Sequence, residues 1–537
     1  MGKGRDKRKK AKEKRGDLSK AHDQVHKEQR AAEKQARRAQ KKAQGGEDDL
    51  DAILAALDLA DGKGKKKAQV RECGRPSPRS HSSITASTSN QPRDNCLYIF
   101  GGEFYDGKKT YVFGDLFKYT IEKGRWEALT LPHGPKPRSG HQAVLLNKCL
   151  WVFGGEYTSP NQEKFKHFRD LWRLDLEALE WDQITVKGGP SARSGHRMAV
   201  YGGRIVLFGG YYDTGDDMKY YGDLWTFDTG SMKWASHGHP SQLAPAPRSA
   251  CQMVVDKDAL YLYGGYAKVK GDADLEHGKT FSDTWKLDLL GMEPDLPEAG
   301  PTWPNWEKVK KAGIAPSERS GFSMVAQPGK GRSFFFGGVK DHEVKDGESM
   351  MSEFFNEAYF FVHEKQRWFP VTMRPPKLTK AEERSLDRRG VDVKDLQAGA
   401  GSVLVIKRDK EQTPEEAAAI KIQARCRGFL VRKAYKLYKL GGKISELLYS
   451  PAVCKVPGLS KLRHPHPRIN GALAVVQNTL YLYGGVFESA DVEITLDDLW
   501  SLNLNKLDGW QCLMEATQSL DQCGGSDWEE VGSDEEA

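Results

Sequence analysis

The chain has 537 residues, 55 of them glycine, with 10% aromatics and a formal charge of +8. Abundant glycine beside abundant aromatics favours many short strands and tight turns, so repeats are sought before domains are counted. Eight scattered cysteines with no CxxC pair argue against a zinc site or a disulfide framework, and neither an apolar signal core nor a run of 18 apolar residues exists. The expectation is an intracellular, cytoplasmic chain with no membrane contact, no metal and no cofactor.

Residues 1–70 form a basic, charged segment. Residues 1–42 carry 17 Lys/Arg against 6 Asp/Glu. The stretch 18–44 has no apolar stripe, which favours a solvated helix, coiled coil or disorder. Nuclear localisation through KRKKAKEKR (7–15), or a nucleic-acid, acidic-protein or tubulin-tail contact, stays open here. In EDDLDAILAALDLA (47–60), Leu50, Ile53, Leu54 and Leu57 share one helical face and suit docking.

Six apolar runs then end in a glycine pair: LYIFGG at Gly102, LWVFGG at Gly155, IVLFGG at Gly210, LYLYGG at Gly265, SFFFGG at Gly338 and LYLYGG at Gly485. An arginine in a Pro/Ser-rich turn precedes each: Arg79, Arg138, Arg193, Arg248, Arg319 and Arg468. A second aromatic strand follows each pair, as in DLWRLDL at 170 and DLWSLNL at 498, and then a lone tryptophan: Trp126, Trp181, Trp234, Trp306, Trp368 and Trp510. Successive pairs lie 53, 55, 55, 73 and 147 residues apart, so the last two units carry insertions. Each unit reads as four strands, A to D. One such sheet cannot bury both its faces, so the units must stack radially.

These marks resemble the kelch repeat. Stretches such as GGEFYDGKKTYVFGDLFKY (101–119) and LWVFGGEYTSPNQEKFKHFRDLW (150–172), with the charged N-terminus and late insertion, resemble the kelch domain-containing protein 4 family. The resemblance implies an all-β, six-bladed β-propeller and transfers no catalytic residue. Blades one to five are expected over 75–370 and blade six over 466–515, closing by packing or by a modest strand exchange. Asn356-Glu357-Ala358-Tyr359 stands where the other blades have DLW-like sequence, so strand C of blade five is expected to be irregular.

Residues 371–465 separate blades five and six. Within them, Thr413 and Glu416 form a capping box, Pro414 suits the first helical turn and Gly441-Gly442 supply a stop, which predicts a helix over 414–440. Ile422, Gln423, Arg427, Gly428 and Arg432 match IQxxxRGxxxR in full. IQ helices dock calmodulin and related EF-hand light chains. Phe429 and Leu430 extend the apolar side toward such a partner's groove, and the basic residues suit its acidic surface. A basic helix laid on the propeller itself is the competing reading.

The connections D–A and B–C should emerge on one end of the propeller. The B–C segments, read here as loops, carry Tyr105, Tyr111, Tyr157, Phe165, His167, Tyr211, Tyr212, Tyr221 and Tyr266 as candidate partner-binding residues. The repeated arginines are read as part of the fold. An acidic tail, 516–537, holds seven Asp/Glu and no Lys or Arg within 521–537. No GxSxG, HExxH, P-loop or dinucleotide fingerprint occurs, so catalysis is not expected. The function expected is an interaction scaffold, in a cytoskeletal or ciliary assembly, with a substrate adaptor for ubiquitin ligation as the alternative.

Overall fold

The computed structural model describes residue 50 and residues 53–54, 67–89, 91–213, 218–238, 244–270, 276–290, 305–343, 350–374, 464–489 and 492–517. The expected IQ helix and both charged tails lie outside them. Of the short segment 47–60, Leu50, Ile53 and Leu54 are described as helical, with Leu54 buried.

Six antiparallel four-stranded sheets follow in chain order, each built from contiguous sequence. Blade one comprises Ser83–Ser87, Cys96–Phe100, Leu116–Thr120 and Arg125–Thr130. Blade two comprises Gln142–Leu146, Cys149–Phe153, Leu171–Asp175 and Glu180–Ile184. Blade three comprises Arg197–Tyr201, Arg204–Phe208, Leu224–Asp228 and Lys233–His237. The strands of blade four are Gln252–Asp256, Ala259–Lys270, Glu276–Asp288 and Trp306–Val309. Those of blade five are Ser323–Gln327, Arg332–Phe336, Ala358–Val362 and Arg367–Pro370. Blade six closes the series with Ala472–Val476, Thr479–Ser489, Val492–Asn503 and Gln511–Met514.

Each A strand touches the A strand of the blade before and after it, including the first against the sixth, so the A strands line a closed channel. The lone tryptophans seal the blades from the outside. Trp181 packs on Phe100 of blade one, Trp234 on Phe153, Trp306 on Phe208, Trp368 on Tyr263, Trp510 on Phe336 and Trp126 on Tyr483, at 4.7–6.1 Å between ring centroids. Every partner is the aromatic just before a glycine pair. An aromatic that large gains several kcal/mol only when both neighbours cover it, which is why the blades stack. The first glycine of each pair must turn the chain beside the next blade. Gly154 has φ +65°, and a Cβ there would sit 2.7 Å from the Arg193 carbonyl oxygen.

Among the described residues no strand is exchanged at closure. Blade six meets blade one through Trp126 on Tyr483, the Arg79 N–H to the Leu496 carbonyl, the Gly485 N–H to the Arg79 carbonyl, and an ion pair between Arg75 and Asp497 at 3.3 Å. A fifth strand that the repeat pattern does not announce, Gln69–Cys73, pairs along the outer edge of blade one. It is almost wholly exposed, so it has no apolar alternation to betray it.

Two expectations change. Strand C of blade five is regular and fully paired on both sides. Glu357 takes over the role of the usual aspartate by accepting from Arg319 at 2.9 Å, and the Tyr359 hydroxyl replaces the tryptophan N–H as its second donor. The B–C segments are not loops. In blades one, two, three and five they form separate two-stranded hairpins, and in blades four and six strands B and C run on past a bulge at the glycine pair. Paired backbone satisfies the N–H and C=O groups that a long loop would leave to water.

The hairpin face and channel mouth

The six arginines are spent inside the fold. Arg138 donates to the Gly154 carbonyl at 2.9 Å and, through two bonds of 2.8 and 2.9 Å, to Asp170. Arg193 and Asp223, Arg248 and Asp283, and Arg468 and Asp498 repeat this fork. In blades two, three, four and six a tryptophan N–H completes the carboxylate: Trp172, Trp225, Trp285 and Trp500. An aromatic lies over each of five guanidinium groups: Phe113, Phe168, Tyr221, Phe281 and Phe355. The arginines hold Asp170, Asp223 and Asp283 below the usual carboxylate range against the upward pull of burial.

Tyr221 therefore occupies a repeat position beneath Arg193, 4.1 Å from its guanidinium carbon. The other candidates sit on the hairpins. Tyr105 ends the strand Glu103–Tyr105, and Tyr111, 48% exposed, faces Phe104 across that hairpin. Tyr157 is half-buried in Glu156–Thr158, whose partner strand Phe165–His167 carries Phe165 and His167. His167 meets Tyr211 edge-on at 5.5 Å and lies tilted against Tyr212 at 4.8 Å. Tyr266 stands in blade four, 6.4 Å from Tyr220. Phe165, His167, Tyr211, Tyr212 and Tyr266 thus gather between blades two, three and four. Tyr105 and Tyr111 belong to the next hairpin along, tied to the blade-two hairpin by the Thr110 N–H on the Pro160 carbonyl. Ile422, Gln423, Arg427, Gly428, Phe429, Leu430 and Arg432 lie outside the described residues.

Sequence reasoning missed the acids. The residue after each glycine pair forms a single backbone bridge with the arginine turn of its own blade: Ser80 with Glu103, Ser139 with Glu156, Ser194 with Tyr211 and Ser249 with Tyr266. Glu156, Tyr211 and Ser249 among them line the channel, a space of about 360 Å³ that also takes in His81, Arg197 and Gln252. His81 keeps an exposed edge, its side chain 40% open; crowding around the ring works against its charged form, but its contact with Glu103 at 3.0 Å prevails and lifts it above its usual value. Burial likewise works to raise Glu103, yet the His81 and Ser139 bonds hold it low. Glu156 fares differently. Burial, aided by the charge of Glu103, pushes it up to about 7 despite a 2.7 Å bond from the Tyr211 hydroxyl. Its neighbour His167 is brought down to about 4 by burial and is neutral. Since Nε2 accepts the Asp213 N–H at 2.9 Å, Nδ1 carries the proton and donates to Ser194 at 2.8 Å. A repeat offset of one residue past the glycine pair was the signal available for these groups.

Among the described residues no group of three or more His, Cys, Asp or Glu could hold a metal ion, and no helix is long and apolar enough to cross a membrane.

With the ring, the glycine pairs and the arginine forks in place, comparison with known proteins agrees. The KLHDC2/KLHL20/DRC7 Kelch-repeats domain matches residues 83–293, and the IQ calmodulin-binding motif matches residues 416–436. The chain is a kelch-repeat protein. It is similar to the Leucine-zipper-like transcriptional regulator 1 homolog of Drosophila melanogaster, 26% identical over 43% of this chain and 22% of that one. It is also similar to the Host cell factor homolog hcf-1 of Caenorhabditis elegans, 29% identical over 36% of this chain and 26% of the other. Kelch domain-containing protein 1 of Mus musculus is 28% identical over 37% of this kelch protein and 50% of its own length. The match spans between about a fifth and a half of each relative.

Proposed function

We propose that this kelch protein is a non-enzymatic interaction scaffold in a cytoskeletal or ciliary assembly. Its hairpin face binds a protein partner, and calmodulin or a related EF-hand protein docks on Ile422, Gln423, Arg427, Gly428, Phe429, Leu430 and Arg432. The observation that carries the reading is how the face is made. The repeat arginines are consumed by the fold, while the aromatic hairpins above them differ from blade to blade and rest on a rigid ring. Aromatic side chains are the usual anchors of protein interfaces.

Titrating purified calmodulin into the full chain, with calcium and with chelator, tests the second site. One-to-one binding should disappear in Ile422→Glu. Crosslinking and purification from cells tests the first: Tyr105→Ala with Tyr157→Ala should lose cytoskeletal or axonemal partners while calmodulin stays. Cullin and elongin components recovered in place of those partners would favour the ubiquitin-ligase adaptor and sink the scaffold.

A further inference from the structure

Between the hairpins of blades two and three and the start of blade four lies a pocket of about 300 Å³. Phe165, Tyr211, Tyr220 and Tyr266 provide its aromatic walls, with Tyr211 and Tyr220 6.3 Å apart and Tyr220 and Tyr266 6.4 Å apart. Met218 lines it as well, and two carboxylates, Glu156 and Asp213, face it. Among the described residues no lysine or arginine lines the pocket.

Glu156 is 8% exposed, a carboxyl group taken out of water. One oxygen accepts the Tyr211 hydroxyl, and the other lies 3.3 Å from His167 Nδ1, a neutral ring whose proton goes to Ser194. Buried carboxylates are ordinarily matched by a cation, as every arginine fork in this propeller is. Here the described lining sets the acid among aromatic faces with no lysine or arginine, and the one positive charge that reaches it from outside, His81, is already paired with Glu103. Ring faces attract a cation within about 6 Å of their centroids and add to the pull of the carboxylate. An apolar guest would gain from the rings but would leave Glu156 further desolvated, so the chemistry favours a charged one.

We propose that this pocket receives a cationic side chain, the guanidinium or ammonium of an arginine or lysine on a protein partner, with Glu156 as its counter-ion and the tyrosines as its walls. The inference rests on the hairpin face being the partner-binding surface, and it names the anchor residue that the partner must present.

Methyl NMR of the full chain carrying [13C-methyl]methionine reads the pocket through Met218, assigned with Met218→Leu. Three probes are titrated: acetyl-arginine methylamide, acetyl-citrulline methylamide and acetyl-norleucine methylamide. The arginine probe should give a saturable Met218 shift, with the citrulline and norleucine probes at least tenfold weaker. Glu156→Gln and Tyr220→Ala should each weaken the arginine probe fivefold or more, and Tyr220→Phe should restore it. Equal response to citrulline, preference for norleucine, or no response at all would overturn the proposal. If Glu156→Gln leaves partner crosslinking intact while Tyr105→Ala with Tyr157→Ala removes it, the cation pocket falls and the binding face stands.

Discussion

Replacing Arg468 by methionine should destabilise the propeller far more than the same change at Arg79, although the two hold the same place in the repeat. Arg468 and Asp498 are both sealed, at 1% and 3% side-chain exposure, whereas Asp115, the partner of Arg79, is 43% exposed. Without Arg468, Asp498 keeps only the Trp500 N–H at 2.6 Å, and the Gly484 carbonyl loses its 2.9 Å donor. An orphaned buried charge costs about 3–5 kcal/mol. Without Arg79, Asp115 turns to water, and the main loss is the 3.0 Å bond to the Gly101 carbonyl, worth about 1–3 kcal/mol. The expected gap is ~2 kcal/mol. Urea unfolding followed by tryptophan fluorescence measures it, with m-values checked because repeat proteins depart from two-state behaviour. Arg468→Met with Asp498→Asn should recover much of the loss, since no charge is then left alone. Equal midpoint shifts for the two single variants, or no recovery in the double, would refute the reasoning.

Glu156 makes stability depend on pH in an unusual direction. Its folded value of about 7 lies above the 4.5 of an ordinary glutamate, so between those values the folded chain keeps a proton that the unfolded chain has lost, and stability falls as pH rises. Wild type and Glu156→Gln should therefore be alike near pH 4.5, with the variant ahead by up to ~3 kcal/mol at pH 8, readable by thermal melts across that range. Gly484→Ala should strain the junction of blades six and one: φ is +61°, and the added Cβ would stand 2.6 Å from the Arg79 carbonyl oxygen. A loss of about 1–3 kcal/mol, with faster amide exchange at Gly485 than at its counterpart Gly155, is the expected result.

Much of this architecture is legible in the sequence because the same physical demand recurs six times. A tryptophan must cover an aromatic of the preceding blade, and a glycine pair must turn beside the next, so both leave periodic marks. The strand Gln69–Cys73 leaves none, since an exposed edge strand needs no buried face. Glu357 is misleading for the opposite reason: the letter changes while the carboxylate that Arg319 requires is retained. Tyr221 reads as a variable-loop aromatic until the fold shows it under Arg193, level with Phe113 and Phe168. The acids at the channel mouth escape notice because Glu103 and Glu156 give way to Tyr211, Tyr266 and then valine at the same repeat position. Their meaning comes from neighbours on other blades, which no single repeat contains.

Closure without strand exchange makes the sixth junction chemically like the others: the tryptophan cover is the one seen at all five, and the arginine carbonyl received by a glycine N–H is the one seen at four of them. Arg75 also reaches the Glu515 carbonyl, so the two ends of the propeller segment already touch. The order in which the blades are strung is therefore not what defines the ring. A circular permutant, with 515 linked to 75 by a short tether and the chain opened between blades three and four, should build the same propeller, its new ends lying where residues 239–243 now join the blades.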